Sequence, residues 1–198
     1  MQASPSRCER CRFPPELCLC PLVPRLDAPC RFLVLRHASE RERLTNTARW
    51  AALALPGTEI VDHGLPEAPP DLSHLSAPGT FVLFPAPAPA PPPTVPPRLV
   101  VVPDGTWSQA RRMVQRVPVL RTLPRLALAG PPPGQRLRRP HRGDGMSTLE
   151  AMAGALAVLG AGEAAERLLA LHATAVERVL RLKGMPDGIS PEAVHAER

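Results

Sequence analysis

The chain has 198 residues, enough for one domain plus at most a small appended module, and enough to bury a core without disulfide staples. Basic residues number 24 against 18 acidic, a net charge of +6, and every basic residue except Lys183 is an arginine, whose planar fork suits phosphate. Aromatics are 3% of the chain and tyrosine is absent, which argues against a base-stacking sheet of the RRM type, and no apolar run is long enough to span a bilayer.

The first residues, MQASPSRCERCRF, lack the apolar stretch of a secretory signal, so a cytoplasmic protein with reduced thiols is expected. Four of the five cysteines, Cys8, Cys11, Cys18 and Cys20, follow the pattern C-x2-C-x6-C-x-C. Clustered cysteines in a reducing compartment read as metal ligands before disulfides. Two thiolate pairs around the turn Phe13-Pro14-Pro15 can close a tetrahedral site of four sulfurs, which suits zinc and leaves no open position, so the site would be structural. The competing reading is a set of free or redox-active thiols. Arg7, Arg10 and Arg12 surround the cluster and could offset its charge, and Cys30 reads as a core residue. Residues 1–29 are expected to form a four-cysteine zinc module and residues 30–198 the main domain.

Phe32-Leu33-Val34-Leu35 reads as a buried strand, and Glu40 to Leu55 as a helix with Ser39 as N-cap and Pro56-Gly57 as its stop. Such a helix would put Glu40, Arg43 and Thr47 on one face and Glu42, Asn46 and Arg49 on another. Glu59-Ile60-Val61 and Phe81-Val82-Leu83-Phe84 are further strands, and residues 85–97, with eight prolines in thirteen positions, form a polyproline-type loop. Leu99-Val100-Val101-Val102 is the clearest strand, followed by a helix over Trp107–Val117 and a short strand at Leu126-Ala127-Leu128. A Pro/Gly/Arg loop covers 130–145, and two helices follow, Ser147–Leu159 and Glu163–Lys183. Continuous apolar strands alternating with helices predict an α/β fold, a mostly parallel sheet with helices on both faces. Ligands of such sheets sit beyond the carboxyl ends of the strands.

Three segments carry candidate chemistry there. Arg36 to Arg49 leaves a strand end and holds Asn46 and Thr47, poor helix formers with no local reason to be present. Asp104, in Pro103-Asp104-Gly105-Thr106-Trp107, sits at the crevice, or else caps the following helix. Ser147-x-x-Glu150 is a capping box, and the same helix start could instead receive a carboxylate or phosphate. Between Asp104 and Asp144 there is no acidic residue, while nine arginines occur: Arg111, Arg112, Arg116, Arg121, Arg125, Arg136, Arg138, Arg139 and Arg142. That run is the footprint of a polyanion, nucleic acid above all.

Taken together, Cys8-x2-Cys11-x6-Cys18-x-Cys20, His37-x2-Glu40-x5-Asn46-Thr47-x-Arg49, Asp104-Gly105-Thr106-Trp107-x2-Ala110 and Ser147-Thr148-Leu149-Glu150-Ala151 resemble the DTW-domain family over roughly residues 8–180. The family usually has Pro where this chain has Ala38, and Gly where it has Ala48. The resemblance implies a SPOUT-like fold with a C-terminal trefoil knot. It implies a tRNA-uridine aminocarboxypropyltransferase that uses S-adenosylmethionine as co-substrate and tRNA as partner, with no membrane and no protein partner evident. Asp104 is then the first catalytic candidate, as base or positioning group, with His37 and Glu40 next. Leu83, Phe84, Pro85, Pro103, Asp104, Gly105, Trp107, Ser147, Thr148 and Leu149 would bind the co-substrate. Asn46, Thr47, Arg49, Arg111, Arg112, Arg136, Arg138, Arg139 and Arg142 would bind the RNA. The alternatives are a SPOUT-type RNA methyltransferase and a non-catalytic zinc-bearing RNA-binding module.

Overall fold

The computed structural model describes residues 7–65, 69–85, 95–128 and 146–184. Five strands, β1 (Arg31–His37), β2 (Glu59–His63), β3 (Thr80–Leu83), β4 (Leu99–Asp104) and β5 (Arg125–Leu126), form one sheet in the order β2-β1-β4-β3-β5. Every pairing is parallel, and β1 and β4 run in register from Arg31↔Leu99 to Arg36↔Asp104.

The apolar runs alternate faces. Phe32, Val34, Val100 and Val102 point into one core layer, and Leu33, Leu35 and Val101 into the other. The first layer is closed by α1 (Thr47–Ala54), α4 (Thr148–Val158) and α5 (Gly162–Leu182), whose buried Leu168, Leu171, Ala175 and Val179 recur at helical spacing. The second layer is closed by α2 (Trp107–Arg116), α3 (Pro118–Thr122) and a 3-10 turn at Ser73–Ser76. Helices therefore cover both faces, as expected.

The amino-terminal cysteine segment is not set apart from this core. Cys11, Phe13, Leu19 and Leu26 are buried in the first layer, and Phe13 stacks on Trp50 of α1 with ring centroids 5.5 Å apart. Cys30 lies in the same layer as a core residue, and burial pushes its thiol up to about 11.

The helix expected from Glu40 to Leu55 is shorter. After β1 the chain makes a 3-10 turn, Ala38–Glu40, and α1 begins only at Thr47. Its N-cap is Asn46, which accepts from the Arg49 N–H, and not Ser39. The helical faces expected for Glu40, Glu42 and Arg43 therefore do not form, although Arg43 Nε still meets Glu40 Oε1 at 3.3 Å. At the other end, α2 stops at Arg116 and β5 spans only Arg125–Leu126. The C-terminal knot expected from the resemblance turns on the path between β5 and α4, and residues 129–145 lie outside the described ones, as do 86–94 of the proline-rich loop.

Candidate active site and cysteine cluster

The connection from β1 leads outward to the edge strand β2, whereas that from β4 leads past β3 to the opposite edge, β5. The helices that follow β1 and β4 sit on opposite faces, α1 on the first layer and α2 on the second. The crevice of such a sheet opens where the winding reverses, here beyond the carboxyl ends of β1 and β4. His37 and Asp104 occupy those ends.

Asp104 does not cap α2. Thr106 does, in a reciprocal capping box with Gln109, so the capping reading of Asp104 is corrected. The Asp104 carboxylate is 5% exposed and lies between the starts of two helices. Its Oδ2 accepts from Asn46 Nδ2 at 2.7 Å, and its Oδ1 from Thr148 Oγ1 at 2.5 Å. Asn46 thus has the task that its helix propensity did not explain. A further bond, from the Leu149 N–H to Thr47 Oγ1 at 3.3 Å, ties the start of α4 to that of α1. Burial pushes the Asp104 carboxyl above the usual range; Thr148, Asn46 and Arg36 pull it down, and Glu40 raises it further.

Ser147 and Glu150 form the expected capping box. The N–H groups of Ser147, Leu149 and Glu150 all have protein acceptors. His172 of α5, which the sequence did not single out, lies 3.4 Å from Ser147 Oγ through Nε2. Burial lowers its pKa, with Glu150 opposing.

On the other side of Asp104, the ring of His37 meets Ser39 and Gln109. Nδ1 is 2.9 Å from Ser39 Oγ, 3.2 Å from the Ser39 N–H nitrogen and 3.2 Å from Gln109 Nε2. Gly105 makes this possible. A Cβ built there would come within 2.9 Å of Gln109 Oε1 and 3.2 Å of His37 Cβ. Gly105→Ala is therefore expected to displace His37 and Gln109. A shift of the His37 ring NMR signals at matched folded fraction checks this, and wild-type shifts would show that the contact yields.

His63, the register partner of His37 on β2, has its pKa lowered by burial and by that neighbour. Arg36 is clamped by both oxygens of Asp62, at 2.7 and 3.1 Å. Arg49, expected on RNA, donates to the backbone carbonyls of Arg41 and Arg43 and so holds the loop before α1; burial, Arg36 and Arg12 lower its pKa. At the end of β3, Phe84 stacks on Trp107 with centroids 5.2 Å apart, and Arg125 lies over Phe84 while donating to the Pro85 carbonyl. Pro103 and Leu83 are strand residues leading into the same rim. Arg111 and Arg112 are exposed on α2; Arg136, Arg138, Arg139 and Arg142 lie outside the described residues.

The missed residues Gln109 and His172 differ in kind. Thr106-x-x-Gln109 is a capping-box signature that could have drawn notice to Gln109. Nothing local marks His172, which meets Ser147 only through the packing of α5 on α4.

Cys8, Cys11, Cys18 and Cys20 come together as one cluster. Their Sγ atoms all lie within 4.8 Å of one another, with Cys8–Cys20 at 3.6 Å and Cys11–Cys18 at 3.7 Å, so the four could hold a metal ion. Backbone N–H groups of Cys11 and Arg10 lower the Cys8 thiol to about 6, whereas burial and the neighbouring sulfurs push Cys20 up to about 12. Four thiolates so close need a cation to coexist, and the donor set fits one. The seat is built from distant parts of the chain: Trp50 Nε1 donates to the Cys11 carbonyl, and Arg178 of α5 to those of Leu17 and Cys18. Arg12, at φ +67°, turns the backbone between Cys11 and Phe13.

Among the described residues, no helix is long and apolar enough to cross a membrane. The chain is similar to the tRNA-uridine aminocarboxypropyltransferase 2 of Drosophila melanogaster, 31% identical over an alignment of 168 residues that covers 78% of this chain and 66% of that protein. It is 28% identical over 166 residues to the protein of the same name from Macaca fascicularis, covering 77% of this chain and 56% of that one. The chain thus spans between 56% and 66% of the length of these curated relatives. No solved structure matches it. A family model described as the DTW domain matches residues 5–180, a span that takes in the cysteine cluster, the loop to Asn46, the Asp104 turn and the start of α4. These are the segments that the fold gathers around the crevice and its adjoining face, and the chain belongs to the DTW-domain family.

Proposed function

We propose that the chain transfers the 3-amino-3-carboxypropyl group of S-adenosylmethionine to N3 of a uridine in tRNA. The N3–Cγ bond forms as the Cγ–S bond breaks; the sulfonium leaves as neutral methylthioadenosine, and the N3 proton passes to Asp104 or to solvent. The observation that carries the reading is a carboxylate, Asp104, fixed at the winding reversal of a parallel sheet by the starts of α1 and α4, in a chain whose relatives bear that activity in their names. Attack at Cγ in place of the methyl group is a matter of orientation, so a carboxylate fixed by two donors is suited to hold the co-substrate's ammonium group. The Phe84–Trp107 stack at the neighbouring strand ends suits the planar adenine or the target base. The scaffold is read as SPOUT-like.

The cysteine cluster is read as a structural zinc site. Zinc–sulfur bonds of about 2.3 Å imply sulfur–sulfur edges of about 3.8 Å in a tetrahedron, near the two short spacings observed. Four protein ligands leave no open position, so the metal's contribution is to hold the fold.

Incubation of the purified chain with tRNA and S-adenosylmethionine, followed by mass spectrometry of nucleosides and of the spent co-substrate, tests the reading. Aminocarboxypropyluridine with methylthioadenosine is expected. Methyluridine with S-adenosylhomocysteine would make it a methyltransferase, and no binding of S-adenosylmethionine would make it an RNA-binding module. The exposed Arg111 and Arg112 are assigned to backbone phosphate. Arg111→Ala with Arg112→Ala is expected to weaken tRNA binding and reduce the slope of log K against log salt by about one for each arginine that meets a phosphate. An unchanged slope places the footprint elsewhere.

A further inference from the structure

We propose that Gln109 is a positioning residue that fixes His37 in the tautomer protonated at Nε2, so that His37 serves the reaction as a hydrogen-bond donor to a substrate oxygen and not as its base. The inference rests on the reading of the crevice as the transfer site, and it goes beyond that reading by assigning a role to each ring nitrogen.

The amide orientation of Gln109 is forced. The Thr106 backbone N–H can only donate, and it lies 2.8 Å from one amide atom of Gln109, which must therefore be Oε1. Nε2 is then the atom that faces His37 Nδ1 at 3.2 Å and Ser39 Oγ at 3.2 Å. The Ser39 backbone N–H faces the same Nδ1 at 3.2 Å. Two N–H groups that cannot accept a proton are thus aimed at one ring nitrogen, and the Ser39 hydroxyl, which accepts from Gln109 Nε2 and lies 2.9 Å from Nδ1, is free to turn its own proton to suit. Nδ1 is the acceptor of this network, so the neutral ring carries its proton on Nε2.

Nε2 points to the other side of the ring. On that side lies Gly64, just beyond the end of β2, where an added Cβ would stand 3.8 Å from Nε2. The backbone at Gly64 has φ +82°, so a glycine also suits the turn. The Nε2–H is therefore presented at the carboxyl rim of the sheet with no side chain over it from that residue. A base at this position would need a bare Nε2, hence a proton on Nδ1, directed at two N–H groups. The ligand chemistry that fits is an acceptor oxygen: a pyrimidine carbonyl or a carboxylate of the co-substrate. One residue links the two roles, since Gln109 both closes the α2 capping box and orients the ring, and Gly105 leaves the space for it.

The test uses the full chain and the variant Gln109→Glu. Glu serves a capping box as well as Gln, so α2 keeps its start. One carboxylate oxygen takes the Thr106 N–H, and the other faces Nδ1 as an acceptor, which draws a proton onto that nitrogen. Nitrogen-15 NMR of the imidazole, assigned with His37→Gln, is expected to report the Nε2–H tautomer in the wild type and protonation at Nδ1 in Gln109→Glu. Turnover with tRNA and S-adenosylmethionine is expected to fall on the order of 10²-fold, as for loss of one aligned donor, at an unchanged thermal midpoint. Gln109→Met, which removes the donor without adding an acceptor, is expected to fall between the two. A wild-type His37 protonated at Nδ1 overturns the proposal, and so does a Gln109→Glu variant whose tautomer changes while its turnover does not. If the wild type makes no aminocarboxypropyluridine at all, the transferase reading and the role of His37 in it both fail, whereas the tautomer assignment is still decided by the spectrum.

Discussion

Asp104→Asn is expected to abolish transfer while leaving the thermal midpoint unchanged or raising it. The new side chain is nearly isosteric with the original. Its oxygen can still accept from Asn46, and its amide can donate to the Thr148 hydroxyl, which rotates to accept. The change also removes a buried charge. Burial raises the Asp104 pKa above its unfolded value, so the ionised carboxylate opposes folding. That cost is full above the folded pKa and disappears below the unfolded one, near pH 4. The stability advantage of Asp104→Asn over the wild type should therefore shrink as pH falls from neutral toward that value. Loss of a group that holds the co-substrate ammonium or takes the N3 proton should lower turnover about 10²–10⁴-fold. Denaturation curves at several pH values and a product assay check both halves. Near-normal transfer would assign Asp104 to joining α1 and α4 alone and leave the carboxylate's role to Glu40.

Removal of the metal from the cysteine cluster is expected to lower the midpoint by roughly 10 °C or more, since a domain of this size shifts about 2–4 °C per kcal/mol and a structural zinc site is worth several. The loss should reach well beyond the cysteines. Trp50 is fully buried, stacks on Phe13 and donates to the Cys11 carbonyl. Its fluorescence, read in a Trp107→Phe background, should shift to the red when a strong chelator acts. Cys11→Ser, at a buried ligand, should do the same without chelator. Elemental analysis is expected to find about one zinc per chain, as a single four-sulfur site requires. Reduced protein free of metal and indifferent to chelator would overturn the assignment.

Both expectations rest on features of unequal legibility. The strands at Phe32–Leu35, Phe81–Leu83 and Leu99–Val102 are readable because a parallel sheet covered on both faces demands unbroken apolar runs. The cysteine cluster is readable from spacing alone, and the capping box of α4 from Ser147-x-x-Glu150. The start of α1 is not. Glu40 to Leu44 has the composition of a helix, yet Asn46 stops that register by capping at its own position and by reaching Asp104, 58 residues away. That Arg49 clasps two carbonyls of its own loop depends on how that loop folds back, which its charge alone does not show. The contact of Gln109 with His37 exists because β4 lies beside β1, an adjacency that follows from strand order and leaves no mark near either residue.

The seat of the cysteine cluster also sets an order of events during synthesis. The cysteines leave the ribosome before α5, but the carbonyls of Leu17 and Cys18 are held by Arg178, some 160 positions later. Until α5 has emerged, the loop has neither that clasp nor the helix that covers it, and bringing such distant segments together is a slow, entropically costly closure. The seat of the four thiols is therefore complete only in a polypeptide whose helix α5 has docked.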